Sequence, residues 1–139
     1  MKIKNLKLSV LSLLLLIAWT GCKDDEPLET DPSQIILGKW EIVEIGNYPD
    51  MRSVENPSGY KEYLPDSVLR EYEYETGEYY YKKYSIDTLL HEYIYVPQKG
   101  QYMPFFEYSY VFADSNNKIY LKYRNVAAIF NDVTFKRIK

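Results

Sequence analysis

Cysteine and histidine each occur once in a chain of 139 residues, and each scarcity excludes chemistry. A single thiol builds neither a disulfide within the monomer nor a multi-cysteine zinc site. A single imidazole rules out two- and three-histidine metal centres and leaves little acid–base capacity near neutral pH. Basic charge is short as well: 17 Lys and Arg stand against 20 Asp and Glu, a net charge of −3. A nucleic-acid binder displaces phosphate counterions with a basic surface, so no nucleic-acid partner is expected. The only long apolar run covers residues 8–18, interrupted by Ser9 and Ser12. As a helix it would extend roughly 16 Å, about half of a bilayer core, so it is too short to span one. Aromatic residues, by contrast, are abundant. Sixteen Tyr, five Phe and two Trp make up 17% of the chain, which argues against disorder. At this length, with 46% hydrophobic residues, there is room for one domain and not for two.

The first 26 residues read as an address. Lys2, Lys4 and Lys7 precede the apolar run, the order of a secretory signal. Thr20-Gly21-Cys22 closes it and resembles the lipobox of bacterial lipoproteins, with Trp19 where that family carries an aliphatic residue. The resemblance implies that Cys22 becomes the mature N-terminus and carries the lipid, which makes the membrane a partner. Ordinary secretion with an incidental Cys is the alternative. The next four residues, Lys23, Asp24, Asp25 and Glu26, resemble the signal that sends some lipoproteins to the outer face of the outer membrane. They also suit a solvated acidic tether. The implied location is the outer membrane, lipid-anchored at the cell surface, with the periplasmic face as the alternative. The chain therefore divides into a signal peptide at 1–21, a flexible acidic tether at 22–34 and a domain at 35–139. Loss of three signal lysines leaves 14 basic against 20 acidic residues, a net charge of −6 for the mature protein.

The domain reads as all-β and antiparallel. Short runs of Tyr, Ile, Val, Thr and Phe alternate with Gly, Pro, Asn and Asp, which is strand-and-turn composition. Eight strands are expected, at about 38–46, 59–64, 67–75, 78–86, 88–96, 105–113, 118–124 and 132–138. Turns are expected at Glu75-Thr76-Gly77, at 114–117 and at 97–104 around Lys99-Gly100. None of these gaps can hold the dozen-residue crossover of a parallel pair, so the strands must meander. Phe106, Tyr108, Tyr110 and Phe112 share one face of their strand, as do Ile119, Leu121 and Tyr123 of theirs. Val68, Tyr72 and Tyr74 are assigned to a face opposite Leu69, Glu71 and Glu73. Residues 126–130 form a short apolar run of ambiguous state. An eight-stranded up-and-down meander closes into a barrel, which removes its edges; a β-sandwich is the alternative.

Gly38-Lys39-Trp40, opening the first strand, is similar to the Gly-x-Trp of lipocalins, and residues 35–139 look like the lipocalin-like domains of bacterial lipoproteins. The 13-residue connection at 47–59 falls where that family has its large loop over the barrel mouth. The family's Thr-Asp-Tyr motif is absent. The resemblance implies that a basic side chain near the last strand packs over the Trp, and Arg137 is the matching residue. Gly38, Trp40 and Arg137 thus form a structural signature to be tested.

Constellations for catalysis are missing, so the protein is read as a non-enzyme without cofactor or metal. The single imidazole, His91, sits among Leu89, Tyr93 and Tyr95, as a packed or surface His would. Glu71, Glu73 and Glu75 alternate with other residues as a solvated strand face. The tyrosine surplus remains. It fits a cavity for a small apolar or carbohydrate ligand, lined by Tyr72, Tyr74, Tyr80, Tyr84, Phe106, Tyr108 and Tyr110. Ahead of that reading stands a small barrel that fills its own interior. Two functions follow: a lipid-anchored binding module for a small ligand, or an accessory lipoprotein with a solid barrel that meets a protein partner through loops 47–59 and 97–104.

Overall fold

The computed structural model of the chain describes residues 27–125 and 129–139. Residues 1–26, which include the expected signal peptide at 1–21 and Cys22, and residues 126–128 lie outside the described residues. One turn of helix, α1 (Pro32–Ile35), precedes nine strands: β1 (Gly38–Asn47), β2 (Asp50–Ser53), β3 (Gly59–Leu64), β4 (Val68–Glu73), β5 (Tyr79–Ile86), β6 (Leu90–Val96), β7 (Gln101–Ala113), β8 (Lys118–Tyr123) and β9 (Asp132–Ile138). No helix among the described residues is long and apolar enough to cross a membrane.

Every strand pairing is antiparallel, and each of the eight expected strands is present. From β3 to β9 each strand pairs with the next, and β1 pairs with both β3 and β9, which closes an eight-stranded meander barrel rather than a sandwich. The turn residues behave as their chemistry predicts. Gly77 (φ 71°) and Asn116 (φ 64°) sit in the left-handed region, where Gly and Asn meet the least strain. Two elements differ from expectation. β2 lies inside the stretch read as a loop and pairs with the second half of β1, outside the closed ring. β7 begins at Gln101, four residues early, and runs through Pro104. Its pairing with β6 passes from Glu92 opposite Phe106 to Tyr93 opposite Pro104, leaving Phe105 as the extra residue of a bulge. A proline that cannot donate to the ladder is tolerated at such a place.

One end of the barrel is sealed. Asp31 caps α1 by accepting the Ser33 amide at 2.9 Å, and Ile35 and Ile36 are buried beneath it. Trp40, fully buried, donates its indole N–H to the Ile36 carbonyl at 2.7 Å. The Arg137 guanidinium lies 4.3 Å from the Trp40 ring centroid, the contact expected from the sequence. It also donates to the carbonyls of Leu37 (2.5 Å), Ile35 (2.6 Å) and Asn116 (3.2 Å). Gly38 makes room for it. Its φ is +117°, and a β-carbon there would stand 2.9 Å from Arg137 Nη1. Above this plug Tyr63, Leu69, Tyr84, Leu90, Tyr108, Ile119, Leu121, Val133 and Phe135 fill the interior.

Candidate functional site

The interior also holds charge, carried in by three neighbouring strands. β3 turns Lys61 and Tyr63 inward, β4 turns Leu69 and Glu71 inward, and β6 turns Leu90 and Glu92 inward. This reverses the assignment of β4. Leu69 and Glu71 face the core, while Tyr72 stands opposite Tyr60 on the outer wall. Glu71 is accordingly not a solvated residue.

Glu92 has no exposed surface, and its carboxylate is fully engaged. Lys61 Nζ reaches both of its oxygens at 2.7 Å, and the Tyr63 hydroxyl donates to Oε1 at 2.7 Å. Lys61 continues to Glu71 at 3.4 Å, and Glu71 to Lys82 at 2.6 Å. Two ammonium groups and two carboxylates thus form a chain without net charge. Burial by itself would lower the pKa of Lys61, but Glu92 and Glu71 outweigh it and hold the group above its ordinary 10.5. Burial likewise pushes Glu71 up, and Lys61 and Lys82 outweigh that, leaving it below 4.5. The Tyr63 hydroxyl is pushed well above 10.0, by burial first and then by Glu92.

This chain ends in a cleft at the open end of the barrel. The cleft holds about 350 Å³ and is lined by Ile42, Gly59, Lys61, Glu71, Tyr80 and Phe135, with Tyr60, Tyr72 and Glu73 on its rim. It lies where β1 stops pairing with β3, after Glu41 opposite Tyr60. Lys61 and Glu71 keep 17% and 24% of their side-chain surface, enough to meet a ligand from below.

The aromatic residues proposed as one lining are divided. Tyr84 and Tyr108 are buried in the core, with Phe106 and Tyr110 packed against it. Tyr80 is half exposed at the cleft and donates to Glu78 at 3.0 Å. Tyr72 and Tyr74 join Tyr60 and Tyr79 on the outer wall, with neighbouring ring centroids 4.8–6.1 Å apart. Arg70 lies 4.7 Å from the Tyr79 ring, and Tyr74 donates to Glu41. His91 stands on the outside, 3.5 Å from Glu107. Cys22, expected from the sequence to carry a lipid, lies outside the described residues. Among the described residues no group of three or more His, Cys, Asp or Glu is placed to hold a metal ion.

Sequence reasoning missed Lys61, Lys82 and Glu92. A signal for Glu92 existed, because it stands between Leu90 and Ile94 at the period of an inward face. No family model matches the chain, and no curated protein matches it in sequence.

Proposed function

We propose that this is a lipid-anchored lipoprotein of the outer membrane, surface-exposed, whose lipocalin-like barrel binds a small carbohydrate at its open end. The observation that carries this reading is the cleft over a charge-compensated floor. Sugar hydroxyls both donate and accept, and the floor offers ammonium donors beside carboxylate acceptors already fixed by one another. A charged ligand would upset that balance. Tyr80 supplies a face for stacking on a sugar ring. An apolar ligand swallowed whole is disfavoured, because Trp40, Tyr63, Leu69, Tyr84, Leu90 and Tyr108 occupy the space it would need.

The direction of the chain supports the anchored arrangement. Asn116, in the turn between β7 and β8, donates to the Glu29 carbonyl at 2.8 Å and holds the entering segment at the sealed end. The described chain thus enters the barrel at the end opposite the cleft. Thermal melting against a panel of soluble mono- and oligosaccharides tests the ligand, since saturation at a hundred times the dissociation constant adds about 2.7 kcal/mol. A stabilising sugar whose effect vanishes in Tyr80→Ala is the expected result; no shift from any sugar refutes the carbohydrate. Fatty-acid labelling lost in Cys22→Ala, and protease shaving of intact cells, test anchor and address separately.

A second reading, an accessory lipoprotein that meets a protein partner, is favoured by the outer wall of Tyr60, Tyr72, Tyr74 and Tyr79. Tyrosine supplies large contact area at low entropic cost. Tyr74→Ala with Tyr79→Ala would abolish partner capture under this reading and leave sugar-induced stabilisation intact.

A further inference from the structure

The outer wall of β7, β8, β9 and β1 carries a second concavity, larger than the cleft and on the opposite side of the sheet from the core. It holds about 640 Å³. Its origin is the β1–β2 hairpin, which folds back over the wall. A β-carbon on Gly46 would stand 2.3 Å from the Asp50 carbonyl oxygen, so β2 can return only across a glycine. The overhang brings Tyr48 and Met51 to one side, while Val111 and Tyr120 form the other. Both Val111 and Tyr120 are exposed, at 62% and 44%. Along the floor lies Thr134, only 1% exposed, whose hydroxyl has no hydrogen-bond partner among the described residues. A buried polar group without a partner is rare in folded proteins and calls for one.

The charges at the rim do not balance. Asp132 is engaged, accepting the Tyr48 amide at 3.0 Å and standing 3.9 Å from Lys122, whereas Glu44 has no polar partner among the described residues. Glu44 sits directly across from Thr134 in the β1–β9 register. A carboxylate and a hydroxyl, both without a partner among the described residues, therefore flank one point of the groove.

We propose that this groove binds a small cationic amphiphile, with its apolar body along Met51, Val111 and Tyr120 and its ammonium head between Glu44 and Thr134. The ammonium donates to the Glu44 carboxylate and to the Thr134 hydroxyl oxygen, which supplies both missing partners at once. An anionic head would meet Glu44 with like charge, and a neutral one would leave that carboxylate without its counter-charge. The site is independent of the carbohydrate cleft, with which it shares no lining residue.

The test is calorimetric titration of the full-length protein with octylamine, octanol and octanoate, all below their aggregation limits. Octylamine is expected to bind saturably and at least tenfold more tightly than either of the others. Glu44→Gln should erase that preference and leave octanol binding unchanged. Val111→Asp, at an exposed position, should weaken binding of the neutral probe without lowering the melting temperature. Equal affinity for the three probes, no saturable octylamine binding, or an unchanged preference in Glu44→Gln would each overturn the proposal.

Discussion

Arg137 faces three backbone carbonyls and an indole ring at the sealed end, and only a guanidinium has the planar fork to serve them together. Burial lowers its pKa from the ordinary 12.5, yet it stays charged at any physiological pH. Arg137→Ala leaves buried carbonyls without donors and should cost about 3 kcal/mol in urea unfolding. Arg137→Lys should recover less than half, because one ammonium cannot reach carbonyls on two segments and still cover Trp40. A full rescue by Lys would show that charge alone matters there. Glu92 poses the opposite question. Cutting it to Gln leaves Lys61 deep in the barrel without its principal counter-charge and should cost about 3–5 kcal/mol. Removing both charges, as Lys61→Met with Glu92→Leu, should restore most of that stability while abolishing the polar floor of the cleft. If the double variant is as unstable as Glu92→Gln, the pair is a net stabiliser and not an element kept for recognition.

β4 separates the two faces of the wall cleanly, and truncations along it measure the difference. Leu69→Ala opens a cavity against Tyr63 and should cost about 2–5 kcal/mol. Tyr74→Ala, on the outer face, should stay within about 1 kcal/mol. Similar losses at both positions would reverse the assignment. Most of the elements were legible in the sequence, since β-forming runs bounded by Gly, Pro, Asn and Asp leave a meander little freedom. The faces of β4 were not. Its alternation sets Val, Tyr and Tyr against Leu, Glu and Glu, and reading one strand alone favours the aromatic side as the buried one. What turns the strand over is Lys61 opposite Glu71 on β3 and Lys82 beside it on β5, a neutralisation visible only after strands are paired. β2 escaped for another reason. Asp50-Met51-Arg52-Ser53 has no strand composition of its own and pairs because the hairpin returns it to β1. The cleft was legible only in Tyr80 and Tyr72, because its floor is made by residues far apart in sequence that closure of the barrel brings together.

The barrel as a whole couples its stability to pH through the groups it has buried. Glu71 has a folded pKa below 4.5, so its contribution is complete above that value and is lost as pH falls through the folded pKa. Lys61, Tyr63 and Tyr108 are shifted upward, Lys61 by its carboxylates and the two tyrosines chiefly by burial. Their contributions are complete below the ordinary values of 10.5 and 10.0, and are lost as pH rises, because the unfolded chain then releases protons that the folded barrel retains. Chemical denaturation across pH should therefore give a plateau between about pH 5 and 10, a shallow acid limb and a steeper alkaline one. The alkaline limb identifies the interior groups. Tyr63→Phe removes the hydroxyl that donates to Glu92, so the plateau should drop while the alkaline limb becomes less steep. A surface residue such as Tyr81, 61% exposed, provides the control: Tyr81→Phe should leave both unchanged. An alkaline limb of undiminished slope in Tyr63→Phe would mean that the tyrosine hydroxyl ionises as readily in the folded barrel as in the unfolded chain. The buried carboxylate of Glu92, against which that hydroxyl is packed at 2.7 Å, makes this costly, since deprotonation would set two negative charges side by side where neither side chain reaches the surface.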